Sequence, residues 1–532
     1  MTPRVAPFAV LLLIAVPTWL MPTSDSGATP PHDDYFTTSE QCAICHNGAP
    51  GAKAMRDQND VDVSPYLTWQ GTMMANSFRD PYFRAQLQKE TAAAGEEVQE
   101  LCLRCHTPMT HHEARLNDEP TPRLAQALDD MAADDGVSCT VCHMMKPDGL
   151  GEERTWSGRP NFNGKREIYG PFADVFPRPM QMHVDYTPKQ GEHIRDAGMC
   201  ATCHTLFTEH NGTPFPEQTP FLEWRNSEFD PDREGNDPKN ARTCQQCHMA
   251  EVGNKTRIAR NPMGFDFGRI PKRDLRSHAF VGGNAFMLDL LRVYEEDLDV
   301  VAEPEALEAA AKATREQLRT KTAKLTIGEP KRDGDTLAFA LKVENQTGHK
   351  FPSGYPARRA WLHVQVSVGG DVVFESGACG DDGRIVGVED ALRIPHTNLI
   401  QDPSDVVVYE LVATDPDGAP TTFLTKMVGK LKDSRLLPRG FTMDGPHIDD
   451  IAPVGVDGDT DFVGGGDTIA CRVPLPSGKH GKVEVRARLL YQTVPPRWVD
   501  DLRGVEAEEA KRFVRYYDAA DKTPELIDEA RY

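Results

Sequence analysis

Cys200-Ala-Thr-Cys203-His204 is one of five pentapeptides of the same form, and their recurrence decides how the chain folds. The others are Cys42-Ala-Ile-Cys45-His46, Cys102-Leu-Arg-Cys105-His106, Cys139-Thr-Val-Cys142-His143 and Cys244-Gln-Gln-Cys247-His248. C-x-x-C-H is the attachment signature of a c-type haem. The spacing has a chemical reason. Two thiols add to the two vinyl groups of the macrocycle as thioethers, and the adjacent histidine is carried under the ring, where its imidazole reaches the iron. Cys42, Cys45, Cys102, Cys105, Cys139, Cys142, Cys200, Cys203, Cys244 and Cys247 are therefore the expected anchors of five covalently bound haem c groups. His46, His106, His143, His204 and His248 are the expected proximal iron ligands. A C-x-x-C pair alone would also suit half a zinc site, a redox dithiol or a disulfide framework, but none of these asks for histidine after every pair.

The motifs begin 60, 37, 61 and 44 residues apart, leaving about 50 residues of protein for each macrocycle. Domains of about 100 to 150 residues are the usual size, so separate haem-wrapping domains are excluded. The haems are expected to form the core of one shared domain over residues 29–282, mostly helical and irregular. Packed this way, they would pass electrons from edge to edge.

The second axial ligand separates an electron carrier from an enzyme, because an iron closed on both sides mainly transfers electrons while an open one can bind a small molecule. The chain has 17 histidines, twelve of them outside the motifs. The candidates near motifs are His112 or its neighbour His111, His193 and His183 ahead of the fourth motif, and His210 after it. His278 lies in Arg276-Ser-His-Ala-Phe-Val-Gly-Gly-Asn284, where two glycines permit close backbone approach. Met74, in Trp69–Asp80, is a thioether candidate that would raise the potential of its haem. Buried methionine is more commonly a gap-filler.

After His248 the pattern changes. Residues 283–322 read as connecting helices, over Ala285–Glu296 and Pro304–Lys321, the second with proline at its first position and Leu307, Ala310, Ala311 and Leu318 in a stripe broken by Thr314. Residues 323–495 read with period 2. Leu337, Phe339, Leu341 and Val343 share one face, as do Leu362, Val364, Val366 and Val368, and as do Val483, Val485, Ala487 and Leu489. One face buried and one wet predicts an antiparallel β-sandwich, followed by a helical tail over 496–532 that folds back on the haem domain. The fold class expected is thus α+β and multidomain. Within the sandwich, Cys379 and Cys471 are an even pair that could form a disulfide. Asp457, Asp459 and Asp461 alternate as calcium ligands would, but Phe462 stands where such a loop needs glycine, so Ca2+ is not expected. The loop Asn345–Trp361 concentrates His349, Arg358, Arg359 and aromatics. His349 is expected to reach across to an iron, with Arg358 and Arg359 pairing haem propionates.

Composition supports this picture. In 532 residues there are 59 basic and 81 acidic side chains, a net charge of −22; nucleic acid is not an expected partner. Residues 1–28 read as a secretory signal, with Arg4 before an apolar run from Ala6 to Leu20 and small residues at Ser26-Gly27-Ala28. An uncleaved membrane anchor is the weaker reading, since the run is short and interrupted by Pro17. A periplasmic or otherwise exported location follows.

The five motifs over residues 42–248 resemble the exported multihaem cytochromes of the cytochrome c-554/c-prime type. The stretches Trp69–Asp80, His278–Asn284 and Thr347–Trp361 look like recurring pieces of a branch with a C-terminal β domain. The resemblance implies covalent haems, frequent bis-histidine ligation and periplasmic electron transfer with redox protein partners, including those of a membrane-associated complex. Pentahaem nitrite reductases are similar in haem number but end one motif in lysine, whereas all five here end in histidine. Octahaem hydroxylamine oxidoreductases carry three more haems. No catalytic residue transfers from either, which leaves two expectations: a pentahaem electron carrier, or an oxidoreductase with one open haem acting on a small nitrogen or sulfur compound.

Overall fold

Each motif closes a short helix: Ser39–His46, Val98–His106, Cys139–Met144, Ala197–His204 and Cys244–His248. A helical turn puts cysteines three apart on one face, and a cap fixes where that turn starts. Asp196 accepts the Gly198 N–H, while Thr243 and Gln246 form a reciprocal capping box. In this computed structural model, residues 34–162, 164–388 and 394–532 are described. The expected signal sequence lies outside the described residues. Among those residues, no helix is long and apolar enough to cross a membrane.

Three longer helices and the helix near the C-terminus build a second framework. Asp80 caps Pro81–Ala94 by accepting from Tyr82 and Phe83 N–H, and Asn284 caps Ala285–Val293 by accepting from Met287 N–H. Pro304–Lys321 buries Leu307, Ala311, Thr314 and Leu318, a 4-3-4 spacing in which Thr314 belongs to the buried face rather than breaking it. The helix Glu508–Ala519 adds Phe513 and Tyr517 to a core shared with Tyr82, Ala85, Leu288, Leu291 and Leu307.

We number the strands of the two large sheets β1 (Ala323–Ile327), β2 (Lys331–Asp333), β3 (Thr336–Asn345), β4 (Arg359–Val368), β5 (Asp371–Ser376), β6 (Leu399–Ile400), β7 (Val408–Thr414), β8 (Pro420–Thr421), β9 (Gly429–Asp433), β10 (Gly466–Pro474), β11 (Val483–Gln492) and β12 (Glu525–Arg531). One sheet runs β8-β7-β4-β11-β12, with β5 on β4 and β9 on β7. The other runs β6-β10-β3-β1, with β2 on β3. All pairings are antiparallel except β6 with β10, which is parallel. Leu337, Phe339, Leu341 and Val343 of β3 share one apolar cluster with Leu362, Val364, Val366 and Val368 of β4 and with Val485, Ala487 and Leu489 of β11.

That same cluster contains Ala197 and Ala201 of the fourth motif helix and Phe221, Leu222 and Trp224 of the helix Pro220–Arg225. Tyr35–Tyr532 accordingly form one compact unit. Three expectations need correction. The tail at 496–532 is not wholly helical: β12 extends the larger sheet by pairing with β11, since Ile527 supplies a buried anchor to the core. The first half of β4 is buried on both faces, because Trp361, Ile385, Val406, Val408 and Leu490 form a further core on its second side. Cys379 and Cys471 are free thiols: Cys471 sits in the core between the sheets and Cys379 packs against the cluster around Trp361.

Candidate haem-binding site

Four of the five motif histidines are oriented by backbone carbonyls distant in sequence. Their Nδ1–H groups donate to Ile258 O from His46 (2.9 Å), Ser77 O from His106 (2.8 Å), Tyr169 O from His143 (2.6 Å) and Val281 O from His248 (2.6 Å). A carbonyl can only accept, so each bond fixes the tautomer whose Nε2 lone pair is free for a metal. Burial disfavours the imidazolium. It pushes His106 and His204 down to about 4 and lowers His46 and His143.

Thiols of different motifs touch. Cys42 hydrogen-bonds Cys139, Cys105 hydrogen-bonds Cys203, and Cys200 hydrogen-bonds Cys244, while Cys142 lies within electrostatic reach of Cys203. The attachment points therefore adjoin in the order first, third, fourth, with the second and fifth both against the fourth.

Two further histidines face motif histidines as axial pairs would. The rings of His143 and His278 are 6.3 Å apart and 20° from parallel; those of His248 and His349 are 6.3 Å apart and 11° from parallel. Two metal–nitrogen bonds of about 2 Å, each prolonged by about 1.2 Å to the ring centre, would separate trans imidazoles by about 6.4 Å. The residues fit a metal held between each pair. In both partners Nδ1 is engaged by a carbonyl, Arg276 O for His278 (3.2 Å) and Lys350 O for His349 (2.8 Å), again leaving Nε2 free. The segment 278–281 serves two motifs at once, bringing His278 to the third and its Val281 carbonyl to the fifth.

The remaining candidates divide. His111 and His112 are buried at right angles to each other, and His112 Nε2 has neither solvent nor a hydrogen-bond partner, a state that a metal would relieve. His193 differs from expectation: its Nε2 is bonded to Met145 O at 2.9 Å, and its ring folds back over Gly191, where a Cβ would lie 2.4 Å from it. His183 is exposed at the end of the helix Arg178–Val184 and is not brought to a motif histidine. Met74 is half-buried and holds the Val137 N–H through its backbone carbonyl. His210 bonds Thr425 O through Nδ1. Arg359 departs from its expected role: buried at the start of β4, it donates to Gln492 Oε1 (3.0 and 2.9 Å) and lies over the Trp361 ring. Its guanidinium is spent within the sheet. Arg358 stays half-buried, bonded to Ser353 O, and its charge reaches His204 and His349.

What the sequence did not signal is the buried ionic cluster that holds the His349 loop. Lys350 Nζ meets Asp433 at 2.7 Å with both side chains fully buried, Arg435 grips Asp433 through Nε and Nη2 (2.7 and 2.8 Å) and meets Glu223 at 3.0 Å. Glu223 in turn accepts the Lys350 N–H (2.9 Å) and the Ser353 hydroxyl (3.1 Å). Arg435 and Lys350 hold the Asp433 carboxyl well below the usual range despite its burial. Glu223, Lys350, Asp433 and Arg435 lie in three separate parts of the chain, so no local pattern joins them.

Residues 41–144 match the family model for cytochrome c554 and c-prime. No curated protein matches the chain in sequence. Among solved structures, the fold is similar to the crystal structure of a penta-heme cytochrome c552 from Thermochromatium tepidum, at a TM-score of 0.53 and 17% identity, covering 94% of this chain and 99% of that one. With the motif helices, the oriented imidazoles and the matched segment together, residues 41–144 resemble the cytochrome c554 and c-prime family of multihaem cytochromes c, and the fold around them is similar to that of a penta-heme cytochrome.

Proposed function

We propose that the protein is an exported electron carrier with five covalent haems, passing electrons between redox protein partners. The observation that supports this is the nearness of thiols of different motifs: three pairs hydrogen-bond, and Cys142 lies within electrostatic reach of Cys200 and Cys203, which links the two resulting groups. When bound, each haem supplies an iron that accepts and returns one electron. The chain contributes the rest. His143 with His278 and His248 with His349 would hold the irons of the third and fifth motifs; distant carbonyls orient the motif histidines, neighbouring ones orient their partners, and the ionic cluster behind Lys350 keeps His349 in place. Electron paramagnetic resonance of the oxidised protein tests the assignment. His278→Ala and His349→Ala should each convert one low-spin haem to high-spin; unchanged spectra would remove these ligands.

A second reading rests on the surroundings of the second and fourth motifs, where no further imidazole is stacked on His106 or His204 among the described residues. Here Tyr82 and Tyr355 bring their hydroxyls to 3.4 Å, buried Glu217 has an unpartnered Oε2, and Arg358 lies near His204. Such a group of polar side chains would suit a small nitrogen or sulfur compound at an open haem. A stoichiometric high-spin signal in the unaltered protein that shifts on adding nitrite, hydroxylamine or sulfite would favour it. Five low-spin irons would exclude it.

A further inference from the structure

Beyond the motif cluster, one group of side chains has the composition and the unmet bonding of a metal site. His396, in the segment leading to β6, Asp459, in the loop before β10, and Asp467, on β10 itself, each offer a ligand atom, and these atoms all lie within 4.8 Å of one another. Three ligands about 2.0–2.2 Å from one ion are separated by about 3 to 4.4 Å, so the three atoms need draw together by no more than a few tenths of an ångström to share one ion.

The group is interior. The side chains of His396 and Asp459 are 4% and 3% exposed and Asp467 is 2% exposed. Two of its polar atoms, His396 Nδ1 and Asp467 Oδ1, have neither solvent nor a hydrogen-bond partner. Buried polar atoms are paired as a rule, and these two stand outside it. His396 Nε2 is bonded to Asp459 Oδ2 at 2.7 Å, and Asp467 Oδ2 takes the Tyr409 hydroxyl at 2.9 Å. Both contacts orient the side chains so that the unpartnered atoms have no other role.

Charge points the same way. The Asp461 carboxyl contacts Asp459, and the charges of Asp459 and Asp461 both act on Asp467. Three carboxylates thus converge on one imidazole, and no lysine or arginine forms an ion pair with any of them among the described residues. A divalent cation would supply the missing positive charge.

We propose that His396, Asp459 and Asp467 bind one divalent first-row cation of the Zn2+ or Mn2+ kind. An imidazole among carboxylates selects such an ion over Ca2+, which takes oxygen ligands throughout. The site is distinct from the alternation Asp457, Asp459, Asp461 that resembles a calcium loop: only Asp459 belongs to both. Its effect would be to staple the segment before β6 and the loop before β10 to the edge of the five-stranded sheet, where β6 pairs with β10 in parallel.

The test uses the full haem-loaded protein, stripped of adventitious metal by a chelator and then offered Zn2+, Mn2+ or Ca2+ alone. Bound metal per chain is counted by mass spectrometry and affinity measured against a chromophoric chelator, with haem iron counted separately. One equivalent of Zn2+ or Mn2+ is expected. His396→Gln and Asp467→Asn should each weaken binding at least about 100-fold, in line with the loss of a metal-site group, while Asp457→Asn leaves it unchanged. The haem absorbance spectrum reports whether each variant has folded, and either variant alone suffices. No stoichiometric uptake, uptake equal in the two variants and the unaltered protein, or uptake of Ca2+ alone would overturn the proposal.

Discussion

Glu217 is buried beside the second motif with no cation among its partners, and burial raises its carboxyl to about 8 from an ordinary 4.5. The group is protonated in the folded state at neutral pH and ionised in the unfolded one. Its contribution to stability is therefore fully present below about pH 4.5 and is lost as pH rises through about 8. Glu217→Gln, which fixes the neutral form, should remove this decline: in denaturant titrations between pH 5 and pH 8.5, the unaltered protein should lose stability relative to the variant. Parallel profiles would show that the proton is not held there. Asp433 is the opposite case, a carboxylate kept charged by Lys350 and Arg435. Asp433→Ala leaves the buried Lys350 without a paired carboxylate and Arg435 with Glu223 alone, and should cost about 3–5 kcal/mol, read by chemical denaturation, together with loosening of the His349 loop. The cysteines and proximal histidines could be read from the chain because their chemistry requires a fixed local spacing. Arg359 could not, since its neighbour Arg358 has the same chemistry and only the direction of β4 sends one guanidinium to Gln492 and the other toward His204.

At the scale of elements, the strands with strong alternation, β3, β4 and β11, were legible because one face of each enters the core. β12 was not. Its sequence, Glu525-Leu-Ile-Asp-Glu-Ala-Arg531, is largely charged, as suits an edge strand that must not recruit another chain. Only Ile527 is deeply buried, at 1% exposed, while Glu525 reaches Arg315 in the helix Pro304–Lys321 (2.9 Å). Removing residues 525–532 would uncover the edge of β11 and empty the Ile527 site. A lost buried aliphatic side chain costs about 2–5 kcal/mol, so a fall in melting temperature is expected by calorimetry, with aggregation through the exposed edge. Retention of the full melting temperature would mean that β12 is an ornament of the sheet.

For the whole molecule, the chain order of the motifs is not their spatial order. Read along the sequence they are a row of five; in space the fourth adjoins the second, third and fifth, and the first adjoins the third. This could not be foreseen, because spacing limits how far apart two attachment points can be but not which neighbours they choose. A network with this shape has a junction. On the proposed five-haem reading, replacing Cys200 and Cys203 by serine, which removes the fourth attachment point, should split reduction of the remaining haems in stopped-flow experiments into a fast and a slow phase. Replacing Cys42 and Cys45 should leave a single phase of smaller amplitude. A single phase in both variants would argue that electrons bypass the fourth motif.

The thiol contacts also bear on how the protein is made. Cys42 with Cys139, Cys105 with Cys203 and Cys200 with Cys244 are hydrogen-bonded neighbours, and in the oxidising compartment that the proposed export implies, neighbouring thiols are open to cross-linking. Thioether formation uses up the same sulfurs. Maturation is then a race between cofactor ligation and cross-linking, and a chain that folds before its haems arrive would lock itself, through three wrong covalent bonds, into a form that can no longer accept them.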